Sequence, residues 1–429
     1  MTEDPPAPHG RNYPLLLVGQ FLGAFGDNFL LAAILAPLTY ELKAGHVTEA
    51  VINGENALYG LVFAVPSIVL APVAGYLNDR MPKTLWLAGG NTIKFAGAAL
   101  GLAGLTLYSG GASHAIQVAG YCVVGMGACA YAPAKYGILP EILVSERLVK
   151  ANGTVEMLTL VAIVTGLMGG VLLYDATLSV ADCYIACGSL YLAALMCNIG
   201  MTRTPHNPAA SLRHAAGEFA SSLASLVGNP RLGRILLGSA LFWFAGSAIR
   251  SALQGWGIRV FEEAGVAAVT NVRLVLLKLG LVAGIVAGAF LAGQLHRTGD
   301  LSGARRYAFL LAAGVAGLGL LGGRLGLAPV VLVLIVTGAA AGLLVVPFNA
   351  ALQAETDPAR LGKTISIQSC TDYVGIFIGA AFLYCLSRLD LNPKQVLVVL
   401  AVTIAAITLA FGALSGPRGP QATGSQPGS

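Results

Sequence analysis

The chain has 429 residues, of which 56% are hydrophobic and only 10% are charged, and its mean hydropathy is +0.76. A soluble protein averages about 25% charged residues, so this composition excludes a water-soluble globular protein and predicts a surface that faces lipid. The net charge of +5 gives no indication of nucleic-acid binding. The seven cysteines show neither C-x-x-C nor metal-ligand spacing, so we expect buried thiols and neither a metal nor a cofactor.

Both termini differ in composition from the rest of the chain. Residues 1–13 are polar and proline-rich, residues 415–429 are rich in glycine, proline and serine, and we predict that both are disordered. No small-residue cleavage site follows the first apolar run, which favours an uncleaved first span over a signal peptide. A membrane helix needs about 20 apolar residues. Twelve stretches meet this requirement: 14–40, 57–77, 84–108, 114–137, 150–174, 180–199, 231–260, 270–296, 305–323, 328–353, 362–387 and 393–414.

The twelve predicted spans divide into two sets of six. Residues 14–199 form an N-terminal six-helix half and residues 231–414 a C-terminal half, and the polar, basic residues 200–230 are predicted to be a cytoplasmic linker. The predicted fold class is therefore an all-α integral membrane protein. Glycines spaced four residues apart, such as Gly284 and Gly288, predict helices that pack closely.

The positions of lysine and arginine predict that both termini face the cytoplasm. In that orientation 15 of the 25 basic residues lie on the cytoplasmic side and 6 on the outer side, as the positive-inside rule requires. The remaining four, Lys94, Lys135, Arg250 and Lys278, lie within or at the ends of spans. We expect Lys94 and Lys278 to pair with an acid or to extend toward the membrane interface.

The loop after the second span carries a short motif. It reads G-Y-L-N-D-R-M-P-K from Gly75 to Lys83 and resembles the inner-loop signature G-x-x-x-D-R-x-G-R-K of the major facilitator superfamily. Gly75, Asp79 and Arg80 match, whereas Pro82 replaces a glycine. We expect Asp79 to accept a hydrogen bond from a neighbouring helix N-terminus or a basic residue and so to close an inner gate. The six-plus-six layout is also typical of this superfamily, in which substrate binds near the midplane between two halves.

The first span contains a carboxylate in an unfavourable place. Asp27 and Asn28 lie in its middle, and a charge near the bilayer centre costs roughly 2.5–3.5 kcal/mol on insertion scales. Spans 1 and 7 are equivalent in a two-repeat transporter, and Arg250 lies in span 7. We therefore predict an Asp27–Arg250 pair between the halves that acts as a gate or contacts substrate. The alternative is a permanent structural pair.

Other polar residues lie in or near the spans and are candidates for substrate binding, gating or helix-end contacts. They are Lys135 in span 4, Lys150, Asn152 and Glu156 in span 5, Asn349 and Gln353 in span 10, and Gln368 and Asp372 in span 11. Lys135 either extends to the inner interface or lines the cavity as a charge for an anionic group. Glu156 is expected to pair with Lys135 or Lys150. The spacing of Gln368 and Asp372 puts both on one helix face.

At these residues the sequence resembles the bacterial lysophospholipid transporters. The segments that carry the resemblance are residues 20–28, 132–139, 148–156, 241–250 and 345–353, which include A-P-A-K-Y-G-I-L and L-V-K-A-N-G. The sequence departs from the family in two places. The carboxylate after span 10 is displaced by one position, and span 11 keeps an acid but loses the family's amides, which puts headgroup contacts from that helix in doubt.

The resemblance implies movement of lysophosphatidylethanolamine, and of related lysophospholipids, from the outer to the inner leaflet of the bacterial inner membrane. It also implies reacylation inside by an acyltransferase, here expected to be a separate polypeptide with acyl-carrier-protein synthetase activity. Asp27, helped by Asn28, would bind the lipid ammonium, and Arg250 or Lys135 the phosphate. We expect a monomer that is not an enzyme.

Two other functions remain open at this stage. One is a proton-coupled exporter of amphipathic drugs that uses Asp27 or Asp372 as its proton carrier. The other is a membrane scaffold that holds an acyltransferase without transporting. A membrane-embedded lipid enzyme is disfavoured, because the sequence has no His-x4-Asp, G-x-S-x-G or metal cluster.

Overall fold

The computed structural model describes residues 11–47, 49–204, 215–265, 271–321, 326–357, 360–387, 389 and 391–413. All regular structure in these ranges is helical. The predicted disordered segments lie outside them, except for the last residues of 1–13, and so do residues 205–214 of the predicted linker.

The helices of the N-terminal half are α1 (Asn12–Lys43), α2 (Glu49–Val69), α3 (Ala71–Arg80), α4 (Lys83–Leu107), α5 (Gly110–Gly137), α6 (Leu139–Ile142), α7 (Leu148–Thr177) and α8 (Val180–Ile199). The linker contributes α9 (Ala215–Gly228). The helices of the C-terminal half are α10 (Pro230–Glu263), α11 (Asn271–Leu295), α12 (Ala304–Leu321), α13 (Leu327–Glu355), α14 (Leu361–Ser387) and α15 (Pro393–Ala413).

Helices occupy most of the described residues of each of the twelve predicted ranges, but not all of these helices are equally apolar. Within the described residues, nine helices are long and apolar enough to cross a membrane, or ten if one bent pair is a single span. The bent pair is the predicted span 57–77, which the structure divides at Leu70 into α2 and α3 with an angle of 57°. Pro72 lies in the first turn of α3. It has no amide hydrogen to continue the helix and clashes with the preceding turn, which explains the break.

The predicted close packing between glycine-containing helices is confirmed. In the C-terminal half a Cβ atom placed on Gly284 would lie 2.1 Å from the carbonyl oxygen of Ile335, and one on Gly288 would lie 2.1 Å from that of Ala339. Neither position can hold a side chain without moving the backbone of α13. The absence of side chains thus lets α11 and α13 touch along their backbones.

Contacts between the two halves gather at one end of the molecule. There α3 packs on the start of α14, and the start of α7 packs on the ends of α11 and α13. In the adjoining loops the Thr298 hydroxyl donates a hydrogen bond to the carbonyl oxygen of Ser145 at 2.5 Å. This end carries the loops that the sequence predicts to be cytoplasmic.

Candidate functional site

The buried carboxylate of Asp27 is held by residues of its own half. Its Oδ2 atom lies 2.6 Å from the Nζ atom of Lys94 on α4, and its Oδ1 atom accepts a hydrogen bond of 2.9 Å from the Tyr191 hydroxyl on α8. The Tyr121 hydroxyl on α5 donates to the Asp27 carbonyl oxygen at 3.2 Å. The Lys94 ammonium also lies 5.5 Å from the centre of the Tyr131 ring. Four helices of one half therefore surround this acid and its counter-ion.

The predicted Asp27–Arg250 pair is wrong for this structure. Asp27 is paired with Lys94, whereas Arg250 is exposed. The physical reason is packing, because α1 lies mainly against α7 and α8 of its own half, and α4 lies against α8. The expectation that Lys94 would find an acid is confirmed. Asn28, its neighbour in sequence, is half-buried and donates to the carbonyl oxygen of Ala24 in its own helix at 2.9 Å.

A second polar cluster lies between the halves and contains most of the other predicted residues. Glu156 on α7 is 6% exposed, and its Oε1 atom accepts hydrogen bonds from the Tyr136 hydroxyl at 2.5 Å and from Asn349 Nδ2 on α13 at 3.0 Å. Asn349 Oδ1 in turn accepts a hydrogen bond of 2.6 Å from Gln368 Nε2 on α14. This chain of groups joins the N-terminal half to the C-terminal half.

The same cluster continues to the second acid. Gln368 Nε2 lies 3.2 Å from the Ser239 hydroxyl on α10, and that hydroxyl donates to Asp372 Oδ1 at 2.7 Å. Asp372 is half-buried, and no cation of the described residues lies within ion-pair distance of it. A carboxylate of this kind has remaining acceptor capacity for a ligand.

Lys135 lies beside this cluster with its charge uncompensated by a direct partner. Its side chain is buried, with 9% of the residue exposed, and its Nζ atom lies 4.3 Å from the centre of the Tyr136 ring. Within the described ranges it forms neither a hydrogen bond nor an ion pair. The hydroxyl of the same tyrosine donates to Glu156. Lys135 therefore does not extend to the inner interface, and its ammonium donors are available to an anionic group.

The depth of this cluster follows from helix geometry. At 1.5 Å per residue, Glu156 lies about 12 Å from the start of α7, and Asp372 about 16 Å from the start of α14. A bilayer core is about 30 Å thick. Asp372 thus lies near the middle of α14, which is the depth expected for substrate in a two-repeat transporter, whereas Glu156 lies about a quarter of the way along α7.

An amide pair joins the halves nearer to the end where α3 packs on α14, which we call the closed end because the two halves touch there. Asn152 Nδ2 donates to Gln353 Oε1 at 2.8 Å, and Gln353 Nε2 donates back to Asn152 Oδ1 at 2.9 Å. Both side chains are buried. Lys150, two residues earlier on α7, is exposed, and its Cα lies 3.0 Å from where a Cβ on Gly293 would be.

The inner-loop motif contacts the start of α14. Asp79 accepts hydrogen bonds from the Lys363 amide, with N–O distances of 3.2 and 3.3 Å. A Cβ on Gly75 would lie 3.0 Å from the Lys363 Cα, so the glycine permits close contact. Arg80 donates to the Tyr76 hydroxyl of its own helix at 2.8 Å. A carboxylate at a helix N-terminus is stabilised by the unpaired amides and the helix dipole.

Several residues of these clusters were not singled out by sequence. Tyr191, Tyr121, Tyr136 and Ser239 each donate a hydrogen bond to an atom of an acidic residue. Tyrosine and serine are common in membrane helices, and nothing in their spacing marks a partner. A usable signal was the position of Tyr136 next to Lys135 in the sequence.

Comparison with known proteins gives concordant results. A family model described as Major Facilitator Superfamily matches residues 16–380. "Lysophospholipid transporter LplT" of Photorhabdus laumondii is 32% identical over 381 residues and 86% of each chain. The protein of that name from Serratia proteamaculans is 32% identical over 84% of each chain. The one from Shigella flexneri is 31% identical over 93% of this chain and 92% of its own.

Solved structures show the same fold at lower identity. The human organic anion transporter MFSD10 (TETRAN) superposes with a TM-score of 0.73 at 16% identity over 96% of this chain and 100% of the other. The transporter FucP in the outward conformation superposes with a TM-score of 0.69 at 15% identity, over 94% of this chain and 99% of the FucP chain. These structures establish the architecture of two packed helical halves for this chain.

Proposed function

Because the chain belongs to the bacterial lysophospholipid transporter family of the major facilitator superfamily, we propose that it moves lysophospholipids, above all lysophosphatidylethanolamine, from the outer to the inner leaflet of a bacterial inner membrane. A separate acyltransferase with acyl-carrier-protein synthetase activity would then restore the second acyl chain. The observation that carries the proposal is the charged cluster between the halves. The Lys135 ammonium lies against the Tyr136 ring, whose hydroxyl donates to Glu156, and hydrogen bonds lead on from Glu156 to the second acid, Asp372.

These charges complement a zwitterionic headgroup. The phosphate would bind Lys135, which has three N–H donors and no direct ion-pair partner among the described residues. The ammonium would bind the carboxylate of Asp372 or Glu156. Asp27, proposed from sequence as the acid for the ammonium, is already neutralised by Lys94. We therefore move the headgroup site toward the interface between the halves and assign the Asp27–Lys94 pair to support of the N-terminal half.

Binding at this site would be coupled to movement of the halves. A headgroup that binds Glu156 competes with Asn349, whose hydrogen bond joins the two halves. We infer the direction from the proposed orientation: if both termini face the cytoplasm, the closed end is the cytoplasmic end and the state described here faces outward. Opening inward then requires separation of Asn152 from Gln353 and of Asp79 from the start of α14. The single acyl chain would remain between helices in contact with lipid.

A leaflet assay tests the proposal. The full chain is reconstituted in liposomes, and fluorescent lysophosphatidylethanolamine in the outer leaflet is followed as it becomes protected from extraction by albumin. We expect loss of protection in Lys135→Met and in Glu156→Gln, and normal rates in Lys150→Met, which removes an exposed charge on the same helix as Glu156. A lysolipid without the ammonium should move more slowly. Normal rates in Lys135→Met and Glu156→Gln would contradict the proposal.

The half-buried carboxylate of Asp372 favours a second candidate. It has no cation partner within the described residues, and a carboxylate without a fixed counter-ion is the type of group that carries protons in transporters. A proton-coupled exporter of amphipathic compounds would use it as a carrier. Collapse of the proton gradient distinguishes the two functions, because facilitated lysolipid movement should persist whereas coupled export should stop.

A further inference from the structure

A crevice in the C-terminal half lies away from the proposed headgroup site. It is a cavity of about 180 Å³ between α10, α12, α13 and α15, close to the end where α10 begins. Three arginines surround its mouth, and its inner part is lined by Leu241, Leu344 and Phe348. The rim is thus strongly basic while the interior is apolar.

The charge at the mouth is only partly neutralised. Arg231 binds both carboxylate oxygens of Glu355, with N–O distances of 2.6 Å each. Arg234 is half-buried and uses its Nε atom to donate to the carbonyl oxygen of Pro230 at 2.6 Å. Arg305 is exposed, with its guanidinium 5.6 Å from the centre of the Phe309 ring. Neither Arg234 nor Arg305 forms an ion pair with any described residue, so two positive charges remain for a ligand.

The interior of the crevice reaches deep along the helices. From Arg231 to Leu241 along α10 is ten residues, or about 15 Å, which is half of a bilayer core of about 30 Å. A molecule that satisfies this site must carry an anionic group at one end and an apolar chain of that reach at the other. In a membrane-embedded surface the molecule with this chemistry is an anionic phospholipid of the leaflet nearest the crevice mouth.

The crevice and the headgroup site occupy different faces of the same two helices. Phe348 and Gly238 line the crevice, and a Cβ on Gly238 would lie 2.3 Å from the Phe348 ring. The next residues, Asn349 and Ser239, belong to the polar cluster between the halves. Consecutive helical residues point about 100° apart, so a lipid in the crevice supports the back of that cluster without entering it.

We propose that this crevice is a binding site for one anionic phospholipid, with its phosphate on Arg234 and Arg305 and an acyl chain against Leu241, Leu344 and Phe348. The site is separate from transport of lysophospholipid and does not depend on that proposal. In this proposal one lipid stays bound to the C-terminal half and packs against the wall of the substrate pathway.

Native mass spectrometry of the purified full chain in detergent tests this site. We titrate palmitoyl-oleoyl phosphatidylglycerol, the phosphatidylcholine with the same acyl chains, and inorganic phosphate. We expect one tightly bound phosphatidylglycerol, much weaker phosphatidylcholine and no competition by inorganic phosphate. Arg234→Gln/Arg305→Gln should weaken phosphatidylglycerol binding about 30-fold. Arg306→Gln, the neighbouring exposed arginine that does not line the crevice, should leave binding unchanged.

A steric variant gives an independent measurement. Ala304→Trp places a large side chain at the mouth of the crevice and should prevent tight binding while all three rim arginines remain. Equal affinity for phosphatidylglycerol and phosphatidylcholine would overturn the proposal. So would an equal loss in Arg306→Gln and in the double variant, and so would displacement of the lipid by inorganic phosphate, which would identify a free-anion site.

Discussion

The Nζ atom of Lys94 lies 2.6 Å from Oδ2 of Asp27, and both residues belong to the N-terminal half. The pair is 3–8% exposed and is completed by the Tyr191 hydroxyl. Because both charges belong to helices of one half, the halves can move relative to each other without breaking this contact. The pair therefore stabilises one rigid body, and the contacts that must change during transport lie elsewhere.

Removal of one member of this pair should be far worse than removal of both. Asp27→Asn leaves the Lys94 ammonium buried without its counter-ion, and Lys94→Met leaves the Asp27 carboxylate so. Either change costs about 3–5 kcal/mol, whereas replacement of both members of a buried pair is often close to neutral. We expect a large fall in the thermal unfolding midpoint in detergent for each single variant and substantial recovery in the double variant.

Arg250→Gln provides the control for that comparison. Arg250 is exposed and lies outside the pair, so its replacement should leave the unfolding midpoint nearly unchanged. Additive losses in the Asp27→Asn/Lys94→Met double variant, or a loss in Arg250→Gln as large as in Asp27→Asn, would contradict the assignment of Lys94 as the partner.

The reciprocal amide pair between Asn152 and Gln353 should act as a point of closure. If both are replaced by cysteine in a cysteine-depleted background and joined with a short thiol cross-linker, the closed end cannot open. We expect lysolipid uptake to stop after cross-linking and to return after cleavage of the linker. The Asn152→Cys and Gln353→Cys single variants, treated in the same way, should retain uptake. Continued uptake by the fully cross-linked protein would exclude opening at this end.

Asp79→Ala should weaken closure at the start of α14. The carboxylate accepts amide hydrogen bonds there, and loss of such a cap costs roughly 1–2 kcal/mol. Because about 1.4 kcal/mol changes a two-state ratio tenfold, the open population should rise by about that factor. Spin labels at Glu146 and Arg297, exposed loop residues of the two halves, should show one short distance in the parent protein and an added longer distance in Asp79→Ala. An unchanged distance distribution would show that Asp79 does not hold this end closed.

How far the sequence predicted the molecule depends on the range of the interaction concerned. Apolar length and glycine spacing are local properties, and they predicted the helices and the close packing at Gly288, although not that α13 is the helix packed there. Asp27 was also identified from sequence, because the free energy of placing a charge in lipid depends on the position of that one residue in its span. Its partner was assigned wrongly, because the choice between Lys94 and Arg250 depends on which helices pack together, and periodicity does not contain that information. For the same reason Glu156, Asn349 and Gln368 were each predicted as candidates, but their hydrogen bonds to one another were not.

The glycines of α11 give a prediction that separates packing from helix propensity. Gly288→Ala puts a Cβ 2.1 Å from the Ala339 carbonyl oxygen, and the backbone there cannot give way without separating α11 from α13. We expect a loss of about 1–3 kcal/mol from overpacking, seen as a lower unfolding midpoint. Gly246→Ala on α10 is the matched control, because no described atom beyond its chain neighbours and the nearby backbone of its own helix lies within 4 Å of the added Cβ. It should be neutral or stabilising by about 0.5–1 kcal/mol, since alanine favours helix. Equal behaviour of the two variants would mean that α11 and α13 do not touch at Gly288.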